Sequence, residues 1–178
     1  MLQIIAEKAS DECQSAEEMT LRHGCLEDLE VLAAIEAECF PSAEAASKES
    51  IRKRLERYAN HFLVLMDGGT PAGYINGMVT DIPDLEDVMY EDAGMHDESG
   101  DWQMIFGVDT LPAYRRRGCA ARMIEAFVAE AKSQGRKGVV LTCKERLLHY
   151  YAKFGFVNEG VSGSVHGGVV WYQMRLTF

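Results

Sequence analysis

From Trp102 to Gly135 the chain runs as a strand, an arginine-rich glycine turn and an amphipathic helix, and this order constrains its fold more than any other stretch. Trp102, Met104, Phe106 and Val108 alternate with Gln103, Gly107 and Asp109, the two-residue period of a strand. Gly107 interrupts that run, as glycine does where a strand bulges or where a ligand or second backbone comes close. Pro112 closes the strand, and Ala120, Ile124, Phe127, Val128 and Ala131 recur at helical spacing until Gly135 ends the run. Between strand and helix lies Arg115-Arg116-Arg117-Gly118-Cys119-Ala120. The first turn of a helix presents unpaired N–H donors and the positive end of its dipole. Gly118 and Ala120 leave room for a close approach, and the arginines add forked donors for phosphate oxygens. The segment therefore predicts a pyrophosphate cradle, against the alternative of a basic helix start that merely faces water.

The 178 residues, 47% of them apolar, suffice for one substantial core, so a single domain is expected over residues 19–178, with residues 1–18 an extension of unknown role. No apolar run is long enough to cross a bilayer, and the N-terminal MLQIIAEKASDECQ is acidic where a secretion signal would be basic, so a cytoplasmic protein is expected. The cysteines Cys13, Cys25, Cys39, Cys119 and Cys143 are odd in number and include no C-x-x-C pair, which favours free thiols and no metal. A formal net charge of -10 disfavours a nucleic-acid surface. The stretch from Asp81 to Asp101 holds many carboxylates and no lysine or arginine; it reads either as an attractor for a cationic substrate or as a solvated loop.

Hydrophobic periodicity predicts a strand at Met19 to His23 and a helix from Leu26 to Glu38 with Leu29, Leu32, Ala33 and Ile35 inward. A second helix opens at Ser47 and runs to Tyr58, charged on most faces and so placed at the surface. Strands follow at His61 to Met66 and Pro71 to Val79 around Asp67-Gly68-Gly69, a hairpin signal. After the glycine-turn helix come a buried strand at Lys137 to Cys143, a helix at Lys144 to Phe154, and a strand pair at Val157 to Val161 and Val169 to Leu176. That order predicts an α/β (α+β) domain, a mixed sheet with helices on both faces.

Arg115, Gly118 and Ala120 resemble motif A of the GNAT acetyltransferase superfamily, R/Q-x-x-G-x-G/A, and the stretch from His149 to Phe156 resembles that family's tyrosine followed by an aromatic-Gly-Phe. Phe40-Pro41 with Glu44-Ala45-Ala46-Ser47 is similar to the acceptor-side segment of the arylalkylamine N-acetyltransferase-like branch. The resemblance spans about Thr20 to Leu176. It implies a mostly antiparallel sheet of about seven strands with a central splay. In that fold Val108, Asp109 and Thr110 meet the pantetheine arm of acetyl-CoA, and Arg115, Arg116, Arg117, Gly118, Cys119, Ala120 and Ala121 meet its pyrophosphate. Lys144 stands where many relatives carry a cofactor-side asparagine.

The implied activity is acetyl transfer from acetyl-CoA to an amine, a small molecule in the first instance, by direct attack in a ternary complex. The amine must lose a proton, the oxyanion needs a donor near Val108, and the leaving thiolate needs an acid. Tyr151 matches the family's general-acid tyrosine. The strand histidines that serve as base in arylalkylamine relatives are replaced by Met104 and Phe106, leaving Asp101, His96, Glu38, His149, His166 or a water chain. The acceptor stays open, as does the choice between monomer and homodimer. A non-catalytic acetyl-CoA-binding regulatory module is the alternative; neither nucleic acid nor membrane is an expected partner.

Overall fold

A computed structural model describes residues 19–178, so the expected extension at residues 1–18 lies outside the described residues. Among the described residues, nine strands and five α-helices form two sheets with helices on both faces. The first sheet is antiparallel, in the order β1-β2-β3-β6, with β1 at Thr20–His23, β2 at Phe62–Asp67, β3 at Thr70–Asn76 and β6 at Gly107–Thr110. The second has the order β4-β5-β7-β9-β8, with β4 at Val79–Thr80, β5 at Trp102–Ile105, β7 at Gly138–Cys143, β8 at Val157–Val161 and β9 at Tyr172–Thr177. In it only β5 and β7 run parallel.

Each expected long central strand is divided. The run expected at Pro71 to Val79 is β3 and β4, and the run from Trp102 is β5 and β6, broken at Phe106. The chain changes sheets at both breaks, yet pairing continues across them: Phe106 N–H donates to Asn76 O (2.8 Å) and Met104 N–H to Met78 O (2.8 Å). Residue alternation cannot reveal such a crossing, because a strand that switches sheets keeps its period.

The crossing creates the splay. β5 and β7 are paired from Trp102 with Gly138 to Ile105 with Leu141. Beyond that point β6 pairs only with β3, while Thr142 and Cys143 pair only with β9. Two parallel strands therefore part, and each leaves an open edge.

Helices α1 (Leu29–Cys39) and α2 (Lys48–Tyr58) cover one face, and α4 (Cys119–Ser133) the other; α3 (Val88–Glu91) and α5 (Leu148–Ala152) are short. On β2, Phe62 and Val64 belong to the α1–α2 core while Leu63 and Leu65 belong to the α4 core. Both faces are buried, which is why β2 reads as a continuous apolar run. On α4, Met123, Ile124, Phe127 and Ala131 are buried against the sheet, each large side chain contributing about 1.5–3 kcal/mol. Gly135, at φ 78°, ends that helix region.

Helix α2 departs from its expected surface position. Its Ser47 cap accepts from Ser50 N–H (3.0 Å), and it buries Ile51, Leu55 and Tyr58 together with Arg54. The helices expected at Leu26 and Lys144 both begin as single 3-10 turns, and the last strand starts at Tyr172, after a long turn.

Candidate active site

The glycine turn grows from the end of β6. A 3-10 turn at Pro112–Tyr114 leads into the arginines, and Gly118, left-handed at φ 76°, caps α4. The first helical bond runs from Arg122 N–H to Gly118 O (3.0 Å), which leaves the N–H groups of Cys119, Ala120 and Ala121 without helical acceptors. Arg116 is itself left-handed, at φ 61°. The Arg115 Nε donates to Thr110 O (3.0 Å), and the Arg117 guanidinium lies over the Tyr114 ring at 5.3 Å. The Cys119 side chain turns away into the core beside Met19, and burial raises its thiol pKa, so its contribution to a ligand is its backbone N–H.

Just past β6, Leu111 N–H donates to Ala72 O (3.0 Å). By the alternation of an antiparallel ladder Asp109 takes the next bond toward β3, and the peptide groups of Val108 and Thr110 turn to the open edge of the splay. Thr110 O there already accepts from Arg115 Nε, and an amide-bearing chain lying along this edge would pair with the remaining groups. The backbone thus fits the pantetheine arm at Val108 and Thr110.

The splay opens into a cavity of about 490 Å³. Ile105, Phe106, Gly107 and Val108 form one side and Leu141, Thr142 and Cys143 the other, with Tyr151 on the wall. Burial is the main cause that raises the Tyr151 hydroxyl pKa, with Cys143 and Tyr150 adding to it, so the phenol keeps its proton. The turn residues Arg115 to Ala121 are not part of this wall; they sit beyond the far end of β6. Lys144 is also outside the wall, where it pairs with Glu44 (2.7 Å) and lies 5.7 Å from the Trp171 ring centre.

The rest of the cavity comes from segments far apart in the chain. Glu36 of α1 and Arg54 of α2 reach it, as do Tyr90 and Glu91 of α3, His166 and Trp171. Glu36 is buried, accepting from Ala46 N–H (2.8 Å) and from the Tyr74 hydroxyl (2.7 Å). Behind it Asp109 is fully buried, and neither carboxylate oxygen has a hydrogen-bond partner among the described residues. Burial, then the charge of Glu36, push the Asp109 pKa well above its ordinary value. Arg54 donates to Tyr90 O (2.9 Å) and Asn76 Oδ1 (3.3 Å), and its guanidinium lies over the Phe106 ring at 4.9 Å.

Of the five residues considered as base, the structure brings only His166 to the cavity wall. Glu38 and His149 are exposed, and Asp101 pairs with Lys137. His96 stacks on Tyr58 (4.8 Å between ring centres) and joins His61 and Glu98 in a polar brace. Ligand atoms of these three lie within 4.8 Å of one another. They do not fit a metal: His96 Nδ1 accepts from Val79 N–H (3.1 Å), so Nε2 bears the proton, and the Arg136 guanidinium already holds Glu98 (2.9 Å). Burial alone would raise the Glu98 pKa; hydrogen bonding and charge from His61, with Asn60 and His96, bring it to about 2.

The acidic stretch is largely committed to structure. Asp84 pairs with Arg175 (2.8 Å), Asp87 accepts from Val165 N–H (2.9 Å), and Glu98 and Asp101 are paired as above. Of the carboxylates between Asp81 and Asp101, only Glu91 lines the cavity. Glu36, Arg54, Tyr90 and Trp171 were not legible as site residues, since no local motif contains them.

Residues 29–156 match the model of the Acetyltransferase (GNAT) family, and the chain belongs to that family. Over 54 residues it is 41% identical to a probable glucosamine 6-phosphate N-acetyltransferase 2 of Oryza sativa subsp. japonica, a stretch covering 30% of this chain and 32% of that protein. Its fold is similar to that of the loading GNATL domain of CurA from Lyngbya majuscula, with a TM-score of 0.77 at 20% identity over 89% of this chain and 97% of that one. It is also similar to the PaiA N-acetyltransferase from Thermoplasma acidophilum in complex with coenzyme A, with a TM-score of 0.67 at 16% identity over 90% and 99% of the two chains. Among the described residues no helix is long and apolar enough to cross a membrane.

Proposed function

We propose that the chain transfers the acetyl group of acetyl-CoA to the amine of a small molecule, by direct attack within a ternary complex. The observation that carries this reading is the cavity at the splay. It joins the open β6 edge at Val108 and the protonated Tyr151 to a wall bearing the carboxylates of Glu36 and Glu91. Pantetheine along Val108 and Thr110 would bring the thioester to the cavity. The helix N-terminus at Cys119 to Ala121, with Arg115 to Arg117, would take the pyrophosphate. The carbonyl oxygen would meet the N–H of Val108 as it gains charge, and the sulfur would take a proton from Tyr151. A carboxylate wall favours a cationic acceptor, which is how an amine arrives in neutral water.

The PaiA relative with coenzyme A bound supports the donor, and the Oryza relative supports N-acetylation. The resemblance to the arylalkylamine branch rests on Phe40-Pro41 and Glu44 to Ser47; Phe40 and Glu44 to Ser47 line the cavity. The test follows release of CoA thiol from acetyl-CoA with 2-phenylethylamine, spermidine, glucosamine 6-phosphate and an alanine-terminated peptide as acceptors. Turnover of one of the first three is the expected result. Turnover of the peptide alone contradicts the small-molecule reading. Tight acetyl-CoA binding without turnover of any of them identifies a non-catalytic binding module instead.

A further inference from the structure

The glycine-rich turn between β8 and β9 is fastened on three sides, and His166 lies at its centre. Asp87 accepts from Val165 N–H (2.9 Å), Trp171 Nε1 donates to His166 O (2.8 Å), and His166 Nε2 lies 2.8 Å from Glu44 O. Gly167 is left-handed at φ 63°, and a Cβ there would come within 2.7 Å of Glu44 Cγ and 3.3 Å of Ala43 O. Only glycine lets the turn lie this close to the 43–44 segment. That segment is held in turn by the ion pair of Glu44 with Lys144, whose ammonium lies over Trp171.

The hydrogen bond to Glu44 fixes the imidazole's tautomer. A carbonyl oxygen only accepts, so His166 Nε2 carries the proton in the neutral ring and Nδ1 keeps its lone pair. Nδ1 has no hydrogen-bond partner among the described residues, and the side chain is part of the cavity wall. The ring stands between Tyr90 (5.1 Å between centres) and Trp171 (6.2 Å). An imidazole oriented through one nitrogen and unspent at the other has the form of a general base.

We propose that His166 Nδ1 takes the proton from the acceptor ammonium, an assignment that rests on the acetyltransferase reading above. The ammonium gives one proton to Nδ1, and the freed lone pair forms the C–N bond at the thioester carbon. The tetrahedral adduct collapses with cleavage of the C–S bond, and the sulfur leaves with its electron pair. A second proton from the nitrogen reaches the sulfur through Tyr151, which ends as a phenol again. The imidazolium returns its proton to water, so ammonium and acetyl-CoA yield amide, CoA thiol and one solvent proton. The charged and titratable groups around the turn are the paired Glu44 and Lys144, Asp87, Glu91 and Tyr90, whose hydroxyl meets Thr142 Oγ1 (3.3 Å).

The test pairs a direct observation with kinetics. Two-dimensional ¹⁵N NMR of the full chain labelled at histidine should show His166 protonated at Nε2 and bare at Nδ1 in its neutral form. His166→Gln keeps an amide N–H for Glu44 O and removes the base. On whichever of the four acceptors the wild type uses, it should lower kcat about 100-fold or more and abolish the acid limb of the pH–rate profile. Acetyl-CoA Kd should change less than about twofold, which also establishes that the variant is folded. A neutral ring protonated at Nδ1 overturns the assignment whatever the kinetics. Wild-type turnover with an unchanged rate and acid limb in His166→Gln overturns it while the acetyltransferase reading stands. A wild type that binds acetyl-CoA and acetylates none of the acceptors overturns both.

Discussion

Asp109 is held in the core with no donor on either oxygen and Glu36 beside it, and two carboxyl groups so placed cannot both ionise. The folded state therefore binds a proton that the unfolded chain releases at its ordinary carboxyl pKa, about 3.9. Its effect on stability is largest in favour of folding below that value and declines as pH rises toward the raised folded pKa, by up to about 1.4 kcal/mol per pH unit. Asp109→Asn fills the same volume and cannot titrate. Urea unfolding across pH 5 to 8 should show the variant gaining on the wild type as pH rises, and a constant difference would show that Asp109 is not the protonated partner. Tyr151 is a residue of the opposite kind, since its proposed role lies at its hydroxyl rather than in its packing. Tyr151→Phe keeps the ring against Phe156 and removes the proton. On an accepted amine it should lower kcat about 10² to 10⁴-fold with acetyl-CoA Kd nearly unchanged; an unaltered kcat would remove its role as acid.

The glycine turn is the element to which the proposed function gives donor binding, and its weak point is Gly118. At φ 76° a branched side chain is strained even though open space surrounds the position. Gly118→Val should destabilise the domain by about 1–2 kcal/mol and weaken acetyl-CoA binding about tenfold or more, measured by thermal denaturation and calorimetry. Acetyl-CoA binding at wild-type strength would contradict the phosphate assignment. This turn was legible in the sequence because its chemistry is contiguous: strand, left-handed glycine and helix start follow within a few residues. The rest of the cavity wall was legible only in part, at Phe40, Glu44 to Ser47 and His166. Glu36, Arg54, Tyr90 and Trp171 come from two helices, a short helix in the acidic stretch and the β8–β9 turn. On α2 the charged sequence pointed outward, yet Arg54 faces inward because its guanidinium finds Tyr90 O, Asn76 and the face of Phe106. On the acidic stretch the reverse occurred, since Asp84, Glu98 and Asp101 answer cations on distant strands and helix ends that spacing alone does not bring to mind.

The described residues form two apolar cores, one under α4 and one under α1 and α2, but they are the two faces of the same strands. Val139 and Leu141 enter the first and Val140 the second, as do Leu63 and Leu65 against Phe62 and Val64. Removing either helix layer would expose one side of a sheet whose strands also carry the other core. The two sheets are likewise joined through the β3–β4 and β5–β6 crossings, where hydrogen bonding continues past each break. We therefore propose that residues 19–178 are one cooperative domain rather than two half-domains meeting at the splay. The two tryptophans allow a direct test, because Trp102 packs against the α1–α2 core and Trp171 lines the cavity at the splay. Single-tryptophan chains made with Trp102→Phe or Trp171→Phe should unfold in urea with one midpoint each, and each fluorescence midpoint should coincide with that chain's far-ultraviolet dichroism. Separated midpoints within either chain would mean that the splay is a boundary between independently stable units. Acetyl-CoA, binding only the folded form, should shift both probes together by about RT ln(1 + [L]/Kd), near 2.7 kcal/mol at a hundredfold excess over Kd. A shift confined to Trp171 would show that the ligand steadies only its own wall of the cavity and that the rest of the sheet unfolds without reference to it.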